Sequence, residues 1–394
     1  MGGSTWRRAL VVRRGRRDPA PSATPEPTTV PGGEMTTTSS GAVTATELDA
    51  LRRAFALAAR GPASGPNPRV GCVLLAPDGT TVGEGWHEGA GSAHAEVAAL
   101  DDARARGRST VGTTAVVTLE PCDHTGRTGP CSRALVEAGV ARVVVAVRDP
   151  NPVAAGGART LADAGVDVLA DVLPDEGRAV LGAWLPAVER GRPFVTLKLA
   201  STLDGRVAAA DGTSRWITGA VARQHAHDLR AEVDAIVVGT GTALADDPSL
   251  TARAADGTLV GHQPLRVVVG LRDVPGDARL RGEGGELVHV RTHDPAEVLA
   301  VLAAREVRHA LVEGGPTLAA AFLRARLVDE VHAYVAPVLL GGGLSAVADL
   351  GVATIADAVR LVPRRVQPLG DDVLVVATPE PPASAGDDTQ SEEP

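Results

Sequence analysis

Aromatic side chains are scarce in this 394-residue chain, which contains one Tyr, three Phe and four Trp. Proteins that bind single-stranded nucleic acid rely on aromatic side chains on which the bases stack. The net charge is −9, whereas a nucleic-acid footprint is basic. These two shortages predict a small-molecule substrate and no nucleic-acid partner.

Cysteine is also rare, since Cys72, Cys122 and Cys131 are the only three. An odd, low count argues against a secreted disulfide scaffold and predicts a reducing, cytoplasmic location. Cys72 lies in an apolar run and is expected to be a small core residue. No apolar run is long enough for a membrane span, so no membrane partner is predicted.

The two ends of the chain have little apolar content. Residues 1–43 carry six arginines followed by Pro, Ser and Thr, and residues 379–394 form an acidic Pro/Ser-rich tail. Such segments bury too little apolar surface to fold, so both are predicted to be disordered. The arginines are not followed by the apolar stretch of an export signal. Met35 is an alternative start to Met1, because ordered patterning begins soon after it.

Between these ends, apolar strands alternate with helical segments, which is typical of α/β domains with parallel or mixed sheets. The length favours two domains, predicted at 44–188 and 189–378. Thr44 and Glu47 predict a capping box for the first helix. Strands are predicted at 70–76, 82–86, 113–119, 141–147, 166–172, 194–200, 235–239, 265–269, 286–290, 309–315, 330–339 and 372–377. The main helices are predicted at 48–60, 94–106, 131–139, 158–165, after Pro174, and at 219–231, 295–305 and 316–326.

One stretch, from His94 to Cys131, carries a recognisable chemistry. Zinc-dependent nucleobase deaminases have His-x-Glu followed by Pro-Cys-x-x-Cys. Here His94 and Glu96 precede Pro121-Cys122, and eight residues separate Cys122 from Cys131. Catalytic zinc has three protein ligands and lowers the pKa of a bound water, while a nearby carboxylate carries protons. We therefore predict His94, Cys122 and Cys131 as zinc ligands and Glu96 as the proton carrier.

A structural zinc site is the alternative, with His124 as a fourth ligand. That arrangement leaves Glu96 without a role, so it is the weaker interpretation. His87 and Glu120 are expected to be solvated or to support the ligands without binding the metal.

The second half contains no G-x-G-x-x-G, so a Rossmann fold is not predicted. Its best phosphate cradle is 313–317, where a strand ends, two glycines follow, and Pro316 suits the first turn of a helix. Lys198 lies within an apolar strand, where a buried amine is costly unless it has a task.

Eight segments together resemble one family, the bifunctional riboflavin-biosynthesis deaminase/reductase. NPRVGC (67–72), HAEVAAL (94–100), TLEPCDHTGRTGPC (118–131) and VRDPNP (147–152) resemble its deaminase half. KLASTLDGR (198–206), SRWITG (214–219), LADDPSLTAR (244–253) and EGGPTLA (313–319) resemble its reductase half. The resemblance implies an α/β protein with a cytidine-deaminase-like α/β/α domain followed by a dihydrofolate-reductase-like α/β domain. A homo-oligomer is also expected.

The resemblance further implies Zn²⁺ and NADPH as cofactors and two successive reactions. The first is hydrolytic deamination of 2,5-diamino-6-ribosylamino-4(3H)-pyrimidinone 5′-phosphate. The second is reduction of the ribosyl group of 5-amino-6-(5-phosphoribosylamino)uracil to ribityl. Lys198 is our candidate to hold or polarise the sugar-derived group. The implied substrate contacts are Asn67, His124, Arg127, Ser214, Arg230, Leu250, Arg253 and Glu313. The implied NADPH contacts are Ala200, Trp216, Thr242, Asp246, Gly315, Pro316, Thr317, Leu318, Ala319, Ala320 and Ala321.

One departure from the family pattern leaves a second hypothesis open. Gly270-Leu271 stand where many relatives carry Asp and a small hydroxyl residue, so cofactor contacts there are expected to change. A deaminase whose second domain has lost hydride transfer is the resulting alternative. A nucleic-acid-editing deaminase is a third alternative, disfavoured by the charge and the low aromatic content.

Overall fold

The structure, a computed structural model, describes residues 41–125 and 129–380. Residues 1–40 and 381–394 lie outside the described residues. They make up most of the two end segments, 1–43 and 379–394, for which disorder is predicted. The predicted substrate residue Arg127 also lies outside them.

The first half of the described chain is built on a mixed sheet with strand order β2-β1-β3-β4-β5. Strand β1 runs antiparallel to β2 and β3, whereas β3, β4 and β5 are parallel. The predicted capping box at Thr44 and Glu47 is formed. The elements are α1 (Ala45–Ala58), β1 (Gly71–Leu75), β2 (Thr81–Trp86), α2 (Ala95–Ala105), β3 (Thr114–Leu119), α3 (Cys131–Glu137), β4 (Arg142–Val147), α4 (Gly157–Asp163), β5 (Asp167–Leu169), α5 (Pro174–Leu181) and α6 (Trp184–Arg190).

Strands β1, β3 and β4 are buried at nearly every position. Since successive strand residues face opposite sides, both faces of this sheet are covered. Helix α2 lies directly on β2, because a Cβ on Gly85 would come within 2.4 Å of Ala99 N and 2.5 Å of Ala95 O. Gly85 thereby sets the position of the first turn of α2, which bears Glu96 and follows His94.

The second half is built on a larger sheet with strand order β10-β9-β8-β11-β6-β12-β15-β14. Neighbouring strands from β10 to β12 in this order run parallel to each other. Strand β15 runs antiparallel to both of its neighbours, β12 and β14. The elements are β6 (Phe194–Thr202), β7 (Arg206–Ala208), α7 (Ala220–Glu232), β8 (Ala235–Gly239), α8 (Thr240–Asp246), β9 (Leu265–Val269), β10 (Leu287–Val290), α9 (Pro295–Ala303), β11 (His309–Val312), α10 (Pro316–Arg324), β12 (Glu330–Ala336), β13 (Leu344–Ser345), β14 (Leu361–Leu369) and β15 (Asp372–Pro379).

The predicted strands and helices are present, with shifts at their ends. The strands predicted at 309–315 and 330–339 end at Val312 and Ala336. The sequence patterns did not predict α6, β7, α8, β13 or β14. No helix in the described part of the chain combines the length and apolarity needed to cross a bilayer.

Candidate active sites

Three side chains with zinc-binding atoms meet beyond the end of β3. His94 Nδ1 lies 3.5 Å from Cys122 Sγ and 3.3 Å from Cys131 Sγ. The three ligand atoms lie within 4.8 Å of one another, and no other such group of His, Cys, Asp and Glu occurs in the described residues. His94 is the N-cap of α2, Cys122 follows β3, and Cys131 is the first residue of α3.

The donor set of this cluster, one imidazole and two thiols in mutual contact, fits a divalent cation. Hydrogen bonds from Cys131 and His94 hold the pKa of the Cys122 thiol well below its usual value. The hydrogen bond to Cys122, together with burial, raises the pKa of Cys131. Zinc binds thiolates and neutral imidazole, and it releases the protons that these groups otherwise share. The residues present are therefore those that a zinc ion requires.

His124 does not join this group of ligands among the described side chains. A structural site would need it as the fourth ligand. The three-ligand arrangement, with a fourth position left for water, is the one that the geometry favours.

A cavity of about 300 Å³ opens onto the cluster, and we call it the His94 cavity. The predicted residues Asn67, Glu96 and His124 all line it, together with His94 and Cys122. Glu96 is only 3% exposed, and burial raises the pKa of its carboxyl group. A buried carboxyl group beside a zinc site is suited to accept and return a proton.

His87 and Glu120 also line the His94 cavity, and both are buried, so of the two expected roles they have the supporting one. His87 Nε2 lies 3.0 Å from Asn67 Nδ2, and its Nδ1 lies 3.1 Å from the carbonyl oxygen of Ala93. The carboxylate of Glu120 accepts hydrogen bonds from backbone N–H groups of 149, 156 and 158. Both residues are buried and hydrogen-bonded, so they support the site without binding the metal.

Sequence reasoning did not assign roles to several other residues of this cavity. Asp149 and Asn151 follow the end of β4, so their place after a parallel strand was the available signal. The cavity is also lined by Trp184, Glu306 and Arg308, which come from distant parts of the chain. No local sequence pattern indicates that they reach this cavity.

The second site is organised around Glu313, which follows β11. Arg230 donates two hydrogen bonds to its carboxylate, at 2.6 and 2.7 Å, and Lys198 Nζ lies 3.9 Å away. Burial opposes ionisation of Glu313, yet the guanidinium of Arg230 lowers the pKa of this carboxyl to about 2. Burial also lowers the pKa of Lys198, and Glu313 opposes that change. The predicted substrate residues Arg230 and Glu313 therefore bind each other.

Two cavities, of about 760 and 740 Å³, share these residues in their walls. We call them together the Lys198 cavities, because Lys198 and Glu313 line both. Of the other residues predicted for this half, both cavities are lined by Ala200, Ser214, Thr242 and Asp246. The first alone is lined by Gly315, Pro316, Thr317 and Leu318, and the second alone by Trp216, Arg230, Leu250 and Arg253.

The predicted cofactor segment 315–321 is longer than the part that reaches a cavity. Ala319 and Ala320 are fully buried, and Ala321 lines neither of the Lys198 cavities. The reason is helical geometry, since α10 begins at Pro316 and turns its later residues into the core. The residues that reach the cavity are 315–318.

Two family models match the chain. The model of the cytidine and deoxycytidylate deaminase zinc-binding region matches residues 45–147, and that of the RibD C-terminal domain matches residues 193–375. The riboflavin biosynthesis protein RibD of Mycobacterium tuberculosis (strain CDC 1551 / Oshkosh) is 51% identical over 311 residues, covering 79% of this chain and 90% of that protein. The chain belongs to the RibD family.

Solved structures of RibD proteins have the same fold. Acinetobacter baumannii RibD, form 1, is 37% identical with a TM-score of 0.78, covering 85% of this chain and 99% of that one. A Thermotoga maritima protein is 32% identical with a TM-score of 0.76, with the same coverage. Its name is diaminohydroxyphosphoribosylaminopyrimidine deaminase/5-amino-6-(5-phosphoribosylamino)uracil reductase.

As a member of the RibD family, the chain is a bifunctional enzyme of riboflavin biosynthesis. It combines a deaminase activity that uses zinc with a reductase activity that uses NADPH, and phosphorylated pyrimidines fit both activities. The cytidine-deaminase-like and reductase folds expected from the sequence are confirmed. The alternatives of a second domain without hydride transfer and of an RNA- or DNA-editing deaminase are not retained.

Proposed function

We propose that His94, Cys122 and Cys131 hold the zinc ion and that Glu96 carries protons during deamination. When bound, zinc lowers the pKa of a water molecule so that it can attack a carbon atom at neutral pH. Glu96 would accept a proton and deliver it to the departing amino group. The observation that carries the proposal is the three-ligand cluster with the buried Glu96 lining the same cavity.

We assign residues 44–188 to deamination and residues 189–378 to reduction. The family models, which match within these limits, support the division. In the second part, Lys198 holds the sugar-derived group of the substrate, and the segment 315–318 receives the cofactor. NADPH supplies a hydride. The start of α10 offers free N–H groups, which suit an anionic phosphate.

The proposed order is deamination of 2,5-diamino-6-ribosylamino-4(3H)-pyrimidinone 5′-phosphate, followed by reduction of the ribosyl group to ribityl. The name of the Thermotoga maritima protein supports both substrates. Arg253 remains our candidate contact for the phosphorylated substrate in the reductase part. Arg230 is held by Glu313, so its contribution there is to fix that carboxylate.

We place the enzyme in the cytoplasm and propose that it forms a homo-oligomer. The three cysteines are free, which suits a reducing compartment. Apolar side chains are exposed along residues 339–366, where Leu339 is 70% and Ile355 84% exposed. A second copy of the chain would cover this surface. Light scattering on the purified protein tests the homo-oligomer. A molar mass equal to that of a single chain at working concentration would exclude it.

The test of the function is incubation of the zinc-loaded protein with the diaminopyrimidinone phosphate, followed by mass spectrometry. Without NADPH we expect only replacement of the amino group by oxygen, and with NADPH the addition of two hydrogens as well.

Glu96→Gln should keep zinc but slow deamination by roughly 10²–10⁴-fold, because an amide cannot carry the proton. Deamination at the wild-type rate by this variant, with normal zinc content, would remove Glu96 from the mechanism.

A further inference from the structure

The His94 cavity, which the proposed function makes the deaminase site, has a wall that comes from the reductase part of the chain. Glu306 and Arg308 line it, together with residues of the deaminase part. Arg308 is the only lysine or arginine among the described residues that line this cavity. The deaminase site is therefore completed by a cation that follows helix α9.

The backbone of Arg308 is held firmly at this place. Its N–H donates to Asp234 Oδ2 at 2.8 Å, and its carbonyl oxygen accepts from Phe194 N at 2.8 Å. The other oxygen of the same carboxylate, Asp234 Oδ1, accepts the N–H of Gly65. Gly65 lies two residues before Asn67, which lines the cavity. The carboxylate of Asp234 thus joins two segments by hydrogen bonds: the one around Gly65 in the deaminase part and the one that carries Arg308.

The side chain of Arg308, in contrast, has no hydrogen-bond or ion-pair partner among residues 41–125 and 129–380. Its Nε is shielded from solvent and has no hydrogen-bond partner within the described residues. Glu306 lines the same cavity. His124 Nδ1 is likewise shielded and without a partner in the described part of the chain, and it faces the same cavity. Buried polar atoms without partners are uncommon, and two of them in residues that line one cavity indicate a missing ligand.

We propose that Arg308 and His124 form an anion subsite that takes the 5′-phosphate of the deaminase substrate. The inference rests on the proposed function, because that function supplies a phosphorylated substrate. A guanidinium offers forked donors that match phosphate oxygens, and its charge strengthens each hydrogen bond. Because Arg308 belongs to the reductase part, this subsite exists only when the two parts are packed together.

The test compares two substrates on the full-length, zinc-loaded chain: the phosphorylated diaminopyrimidinone and its dephosphorylated form. Arg308→Met should raise KM for the phosphorylated substrate by about 10- to 100-fold, the loss expected for hydrogen bonds to a charged group. KM for the dephosphorylated substrate should stay unchanged, and so should zinc content. Arg308→Lys, which keeps the charge, should recover part of the loss.

Arg305→Met is the matched control, since Arg305 is close in sequence but binds Glu286 at the surface. Reduction of supplied deaminated substrate by the Arg308→Met protein verifies that the reductase part is folded. An unchanged KM, an equal rise for both substrates, or the same effect in the Arg305 variant would overturn the subsite. If the wild-type chain deaminates neither substrate, the proposed function itself fails, and the two failures are thereby distinguished.

Discussion

Lys198 is the only lysine in the chain, whose other permanent cations are arginines. It lies in strand β6 with its side chain 19% exposed, 3.9 Å from Glu313 and 5.6 Å from the centroid of the Tyr334 ring. Arg230 already neutralises Glu313 with two short hydrogen bonds. The ammonium is therefore not needed for that carboxylate, and a compact, shiftable cation suits a role toward substrate better than an arginine does.

Lys198→Ala should slow reduction by roughly 10²-fold or more, the loss typical of an acid–base or polarising group. Deamination should be unaffected, so the deaminated, unreduced intermediate should accumulate in the presence of NADPH. Mass spectrometry of the reaction mixture measures both products. Lys198→Arg keeps a positive charge at this position and should still reduce the substrate slowly. It therefore separates the effect of the charge alone from the chemistry of the amine. Reduction by Lys198→Ala at the wild-type rate would make Lys198 a structural lysine.

His309 should make stability depend on pH. Its Nε2 lies 2.8 Å from Thr196 Oγ1, and burial lowers the pKa of the ring from 6.5 to about 4. Between these values the unfolded chain binds a proton that the folded one does not. The free energy of unfolding should therefore fall as the pH drops from about 6.5 to 4, by an amount on the order of 3 kcal/mol.

Denaturant unfolding at pH 7 and pH 4.5 measures this loss. His309→Gln keeps a hydrogen-bonding group for Thr196 but does not titrate, so its stability should fall less than that of the wild type over the same interval. His293→Gln, at an exposed position, serves as the control and should behave like the wild type. Equal losses in all three proteins would exclude His309 as the source.

At the scale of elements, the glycine at the departure from the family pattern, Gly270, is fixed by its own backbone and by its neighbour Thr240. It follows β9 with φ +129°, and a Cβ there would lie 2.5 Å from Thr240 Oγ1. Thr240 is the first residue of α8, which carries the predicted cofactor residues Thr242 and Asp246. A side chain at 270 is thus excluded both by the backbone conformation and by the start of this helix.

Gly270→Ala should destabilise the protein by about 1–3 kcal/mol, the usual cost of such a strained backbone position. It should also raise KM for NADPH, because the displaced helix α8 lines the first of the Lys198 cavities, in which we place the cofactor. Thermal unfolding and reductase kinetics measure the two effects, and Thr240→Ala should relieve the collision but not the strain. Gly276→Ala is the control, since nothing lies within 4 Å of a Cβ there. If both alanine variants behave alike, α8 is not set by Gly270.

The elements that were missed from the sequence share a physical reason. Strand β14 reads LVPRRVQPL, and proline and charge hide its apolar alternation. It lies at the edge of the sheet, where proline is tolerated because a missing N–H costs no ladder bond. Helix α8 is short and begins at a threonine rather than at a clear capping box. Buried parallel strands such as β8 and β9 were predictable, because their apolar runs are uninterrupted.

At the scale of the whole molecule, only part of each site was predictable. The zinc motif is local enough to be read from residue types and spacing. The contact between Gly65 and Asp234 joins residues 169 positions apart, and the position of Arg308 depends on it. Packing of two separately patterned regions decides such contacts, so no sequence window contains the signal for them.

The two chemistries should be independent of each other. Cys131→Ser should lose zinc and deamination together, because serine is a poor ligand for this ion. Reduction of supplied deaminated substrate should continue, since none of the three proposed zinc ligands lines the Lys198 cavities. Metal analysis and NADPH oxidation measure the two outcomes. Cys72→Ala is the matched control, because Cys72 is buried and lies outside the ligand group, so it should keep its zinc. Since Asp234 ties the two parts together, a folded Cys131→Ser protein that no longer oxidises NADPH would mean that the sites are coupled and that the two-site description is wrong.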